Sequence, residues 1–141
     1  MSSSARPFSQ FETELQVRPS DIDVNGHVHN SHYFDYVLAA RYDQMARCYG
    51  MSMDEFLRHG YGWVVRTAHL DFKRAVSMGD RVRVRTRVTE IVKESVRVEF
   101  EVLRAATGKV ACEGWFLYTM ISLQTGKAAV IPDWIVEKYS I

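Results

Sequence analysis

Asp21-Ile22-Asp23-Val24-Asn25-Gly26-His27-Val28-His29-Asn30-Ser31-His32-Tyr33 runs directly into Phe34-Asp35-Tyr36-Val37-Leu38-Ala39-Ala40, and this junction decides how the rest of the chain is read. The first stretch holds two carboxylates, two amides, three imidazoles and one glycine; the second is apolar apart from Asp35. A helix start leaves backbone N–H groups unpaired at the positive end of the helix dipole, where a developing oxyanion can be held. Ionisable groups set immediately ahead of an apolar helix therefore suit a buried catalytic site, with Asp23 as base or nucleophile.

From about Ser31 to Cys48 the pattern is helical, with Asn30 or Ser31 as N-cap. The first half is apolar on nearly every side, which predicts a helix mostly enclosed by other structure. Ahead of it, Phe11, Thr13, Leu15 and Val17 alternate with Glu12, Glu14 and Gln16 as in a half-buried strand, and Pro19 to Asn30 is read as loop. A short helical piece around Met53 to Arg58 ends at Gly60.

Beyond Gly62 the period changes from helical to alternating. Strands are predicted over Val64 to Phe72, around Val82 to Val88, around Val96 to Val102, and over Trp115 to Leu123, which is apolar on both faces. Turns at Met78-Gly79-Asp80, Ala106-Thr107-Gly108 and Gln124-Thr125-Gly126 separate the later ones, and a short helix follows Pro132, over about 132–139. The order strand, long helix, four antiparallel strands predicts an α+β fold in which a curved sheet wraps one central helix. The whole chain, 1–141, is read as one domain with its core over about 11–123.

Length and composition agree. At 141 residues the chain buries a working core, and 47% apolar with 25% charged residues is ordinary for a globular protein. A net charge of +1 suggests neither nucleic acid nor an anionic membrane as partner. Cys48 and Cys112 form no disulfide framework, the polar start Met1 to Gln10 has no apolar export segment, and no apolar run reaches the ~20 residues of a membrane helix. A cytoplasmic location is expected.

The stretch from Asp21 to Tyr33 resembles the signature of hotdog-fold thioesterases, in particular the 4-hydroxybenzoyl-CoA thioesterase-like group: Asp-x-Asp-x-x-Gly-x-Val, a few polar residues, then a helical Tyr. The resemblance covers roughly Phe11 to Leu123. It implies Asp23 as the catalytic carboxylate, an oxyanion-polarising backbone N–H near Asn30, and Gly26, Val28 and Tyr33 against substrate. Asp23-Val24-Asn25-Gly26-His27 is also similar to the Asp-x-Asn-x-His segment of plant acyl-ACP thioesterases, which implies Asn25 and His27 as partners of Asp23. Those enzymes carry two hotdog units per chain. One unit here implies a homodimer, or a tetramer of two, with the sheet continued across the interface and the site lying there. The implied reaction hydrolyses an acyl-CoA, or an acyl-ACP, without a cofactor, coenzyme A being part of the substrate.

Each residue also has a plainer reading. Asp23 suits an Asx-turn or cap, Gly26 an ordinary turn, Asn30 a cap, and Tyr33 and Tyr36 a core or pocket wall. Asp21 is read as holding the turn. His27, His29 and His32 invite a zinc reading, but a cap separates them and no fourth ligand is evident, so no metal is expected; His29 and His32 read as hydrogen-bonded or surface residues, and His27 either orients Asp23 or lines the loop. Arg81, Arg83, Arg85 and Arg87 form a solvated strand face paired with Glu99 and Glu101, or else grip coenzyme A phosphates, as Lys73-Arg74 would. Two other functions stay open: a 3-hydroxyacyl thioester dehydratase, and a non-catalytic acyl-thioester binding module.

Overall fold

Valine alternating with charge builds the sheet. In β3 (Arg81–Val92), Val82, Val84, Thr86 and Val88 are buried while Arg81, Arg83, Arg85 and Arg87 turn outward. β4 (Ser95–Arg104) answers with Val96, Val98, Phe100 and Val102 on the same inner face, opposite β3 in antiparallel register. β1 (Gln10–Gln16) lies along the far edge of β3, and β5 (Val110–Ser122) pairs with β4. β2 (Tyr61–Phe72) crosses over to pair with β5, giving the order β1-β3-β4-β5-β2. This is a computed structural model, and it describes residues 8–141; most of the serine-rich start, read above for an export segment, lies outside them.

Two strands begin earlier than their alternation predicts. β5 extends back to Val110 and β2 to Tyr61, because pairing with neighbours carries Ala111, Cys112 and Gly62 along despite their modest strand preference. At one point β2 and β5 approach so closely that a Cβ built on Gly114 would overlap the His69 carbonyl oxygen, so that only glycine fits.

The central helix α1 spans Asn30–Arg47. Its cap is His29, not Asn30 or Ser31: His29 is extended, and its ring Nδ1 accepts from the Ser31 amide at 3.3 Å. Nor is the helix enclosed all round within one chain. It buries the stripe Tyr33, Tyr36, Val37, Ala40, Arg41, Gln44 and Met45 against β1, β3 and β4, at the helical spacing of three and four. Asp35, Ala39, Tyr42, Ala46 and Arg47 remain exposed, since one sheet covers one side. Fully buried members such as Val37, Val84 and Phe116 each contribute about 1.5–3 kcal/mol of apolar burial.

Within the stretch read as loop, Pro19–Asp21 forms a single 3-10 turn. Two short helices complete the chain: α2 (Met53–Arg58), capped by Ser52 and resting on β2, and α3 (Asp133–Tyr139), which buries Ile135 and Tyr139. Among the described residues no helix is long and apolar enough to cross a membrane.

Candidate active site

The motif folds as a small hairpin ahead of α1. Ile22 bridges Val28, and at the tip the Asp23 amide donates to the His27 carbonyl at 2.8 Å while the Gly26 amide donates to the Asp23 carbonyl at 3.1 Å. Gly26 adopts φ +80 with open space around it, so backbone conformation rather than crowding calls for glycine. The hairpin is pinned to the segment before β3, where the Val28 amide donates to Val76 at 2.7 Å and His27 bridges Ser77.

Asp21 sits at the base of this hairpin, 1% exposed. Its carboxylate accepts from the Arg18 amide at 3.0 Å, the Arg18 guanidinium at 3.2 Å and the Tyr36 hydroxyl at 2.7 Å. Burial raises its pKa, but these hydrogen bonds and the Arg18 charge outweigh that and hold it below the ordinary carboxylate value. The Tyr36 hydroxyl is pushed up in turn, by burial first and then by this carboxylate. Asp21 is thus consumed in holding the turn.

Asp23 sits at the tip. Its Oδ1 accepts from the Asn25 amide at 2.9 Å and the His27 amide at 3.2 Å, while Oδ2 has no partner and no cation forms an ion pair with it among the described residues. The turn role and a free oxygen therefore coexist in one side chain. At the helix start, His29 takes the Ser31 amide with its ring and the His32 amide with its carbonyl at 2.9 Å. The Asn30 amide, the first of the helix, meets no acceptor among the described residues.

The remaining motif residues divide. Asn25, His27 and Asn30 are exposed, and of these Asn25 and His27 bond Asp23 through their amides. Val28, 4% exposed, and Tyr33, 2% exposed, lie in the core, where Tyr33 packs on Tyr36 and Phe72. His29 and His32 meet edge to face at 6.3 Å, and among the described residues no group of His, Cys, Asp and Glu is arranged to hold a metal. Three of the four arginines in the row meet carboxylates of the neighbouring strands: Arg81 with Glu14 at 2.5 Å, Arg85 with Glu12 and Glu101, Arg87 with Glu99 at 3.8 Å; Arg83 forms no ion pair among the described residues. Lys73 pairs with Asp71 at 3.1 Å, and Arg74 donates to the Val110 carbonyl.

A cavity of about 520 Å³ opens alongside α1, between the helix, the inner faces of β2, β4 and β5, and α3. Phe34, Leu38, Arg41 and Met45 form its helical wall; Trp63, Val65, Val98 and Tyr118 form its sheet wall; Ile135 and Tyr139 close it from α3. Asp23 is not in its lining. The cavity starts at Phe34, one turn into the helix that Asn30 begins.

The family model for the thioesterase-like superfamily matches residues 17–139. The chain belongs to that superfamily. This thioesterase is 22% identical over 127 residues to the long-chain acyl-CoA thioesterase FadM of Escherichia coli K12, covering 90% of this chain and 95% of FadM. Its fold is that of the DHNA-CoA thioesterase from Staphylococcus aureus, with a TM-score of 0.85, 23% identity and 93% and 89% of the two chains covered. A thioesterase from Thermus thermophilus, complexed with coenzyme A and Zn, aligns with a TM-score of 0.75 at 27% identity, covering 91% and 90%. The five-stranded sheet with its helix is the hotdog fold, and the protein is a thioester hydrolase.

Sequence spacing did not reveal the walls of this thioesterase's cavity. Trp63, Tyr118, Ile135 and Tyr139 come from three elements far apart in the chain. The one local signal is Phe34, Leu38, Arg41 and Met45, a helical stripe that shares Arg41 and Met45 with the buried one.

Proposed function

We propose that the protein hydrolyses an acyl-CoA to the free acid and coenzyme A, with Asp23 as general base or nucleophile and the Asn30 amide as oxyanion donor. The division of the Asp23 carboxyl carries this reading: two amides orient Oδ1, and Oδ2 stays free to act. As a base, Oδ2 takes a proton from water while the resulting hydroxide adds to the thioester carbonyl; as a nucleophile, it adds directly and water then opens the anhydride. In either course the negative oxygen forms beside the first amide of α1, and coenzyme A leaves as a thiolate of pKa about 8.5, needing little acid help. Asn25 and His27 flank Asp23, and Gly26 gives the turn its shape. FadM and the coenzyme A complex support an acyl-CoA substrate over an acyl-ACP.

The apolar cavity beside α1 receives the acyl chain; its 520 Å³ is within the usual range of small-molecule sites, about 300–1,000 Å³. The functional unit is a homodimer. β2 is twelve residues long and pairs on one side only, and its free edge can continue the sheet into a second copy. Both cysteines are free thiols, which supports a reducing, cytoplasmic setting.

The test is thiol release from a panel of acyl-CoA esters. Wild type turns over at least one ester, and Asp23→Asn loses about 10²–10⁴-fold in kcat with its melting temperature nearly unchanged. A panel left intact by wild type, or an Asp23→Asn enzyme with full turnover, overturns the proposal.

A further inference from the structure

The acyl cavity contains a cation that nothing among the described residues neutralises. Arg41 is 7% exposed and lines the cavity. Its one hydrogen bond among the described residues runs from Nη1 to Thr86 Oγ1 at 3.1 Å, and its guanidinium lies 5.2 Å from the centre of the Tyr49 ring. No carboxylate of the described residues is within ion-pair reach of it. The Thr86 hydroxyl donates to Gln44 Oε1, Gln44 Nε2 donates to Thr13 at 3.1 Å, and Thr13 donates to Asp43 at 2.7 Å. That chain ends on a carboxylate already claimed by Arg47 at 2.8 Å, so the Arg41 charge stays in surplus.

The same wall is short of acceptors altogether. The Trp63 indole N–H and the Tyr118 hydroxyl are buried with no partner among the described residues. Tyr118 is kept in its neutral form by burial, which pushes its pKa up to about 12, Arg41 acting slightly against this. Of the other polar groups, Tyr139 donates to the Met51 carbonyl at 2.8 Å, and Tyr42 stands 52% exposed. An unpaired buried cation is costly, and a site built of donors favours a ligand that brings the acceptor.

We propose that the preferred acyl group carries an oxygen acceptor at its far end, a carboxylate above all, which pairs with Arg41. The proposal rests on the acyl-CoA thioesterase reading above. The geometry sets the length: Arg41 is seven residues beyond Phe34 and eleven beyond Asn30, about 10 and 16 Å along the helix. An extended carbon chain of roughly eight to twelve atoms spans that interval. A plain alkyl chain of the same length fits the cavity but leaves the guanidinium without its partner.

Two measurements decide it. In turnover, kcat/KM for the mono-CoA ester of decanedioic acid exceeds that for decanoyl-CoA by tenfold or more, with 10-hydroxydecanoyl-CoA between them. In Arg41→Met the ratio of the first two falls toward one. Arg41→Gln, which keeps a donor for Thr86, gives the same collapse and guards against misfolding, checked by circular dichroism. Equal rates on the three esters in wild type, or a ratio that both variants leave intact, overturns the proposal; so does a partner-subunit carboxylate that pairs with Arg41, seen as variants that lose dimer stability without losing discrimination. If no ester is hydrolysed, the functional reading fails on its own. Calorimetry then decides the site: decanoate binds wild type at least tenfold more tightly than it binds either variant while decanol binds all three alike, or the site does not exist.

Discussion

Asp21 and Asp23 stand at the base and the tip of one hairpin and meet opposite surroundings. The base is dry: the Asp21 carboxylate is enclosed by Arg18 and Tyr36, and both its oxygens are occupied. The tip is open, and there Asp23 is held through a single oxygen by amides of its own turn. Identical side chains two positions apart thus become an anchor and a candidate reagent. Partners and burial set the difference: Asp21 closes the 3-10 turn within reach of Tyr36 on α1, whereas Asp23 opens the tip and meets only amides of its own turn.

Removing the anchor tests this contrast most severely. Asp21→Ala leaves Tyr36 and Arg18 without their acceptor and costs about 2–3 kcal/mol by chemical denaturation, somewhat below a fully buried ion pair because Arg18 is largely exposed. Asp23→Ala, which frees two surface amides, costs about 1 kcal/mol. Equal losses at the two positions would break the comparison. Acid sharpens it further. The folded-state pKa of Asp21 is lowered, so its contribution is fully present above the ordinary Asp value of about 3.9 and is lost as pH falls through the lower folded value. The stability gap between wild type and Asp21→Asn therefore narrows below about pH 4; a gap that widens there contradicts the assignment.

Smaller effects follow at the neighbours. Tyr36→Phe deletes the 2.7 Å hydrogen bond to Asp21 and costs about 1–2 kcal/mol, with turnover at saturating substrate retained. Gly26→Ala meets no steric obstacle but strains a φ of +80, so about 1 kcal/mol is lost. Because that strain falls on the tip holding Asp23, the variant loses more in kcat than Tyr36→Phe does; the reverse ranking would place the sensitive geometry at the base.

The fold was legible wherever period two was strong. Valine and arginine alternate through β3 so regularly that no other element suits them, and the turn-holding part of Asp21 follows from its place before a helix. Legibility failed where structure is made by partners. β5 before Trp115 is strand because β4 and β2 flank it, not because Ala111-Cys112-Glu113-Gly114 asks for it. His29 escaped notice as a cap because histidine rarely serves as one. The enclosure of α1 was overestimated, since an apolar count cannot say on which side a sheet will lie. Arg41 carries no signal within its own helix, its surroundings being drawn from four strands and a terminal helix.

One seam in the sheet has a practical corollary. Where Gly114 faces the His69 carbonyl, the two backbones leave no room for even a methyl group, and the Phe100 ring closes the remaining space at 3.2 Å. Any mutagenised library spanning the last strand will be purged at that codon before selection for catalysis begins, and every soluble survivor will still encode glycine there.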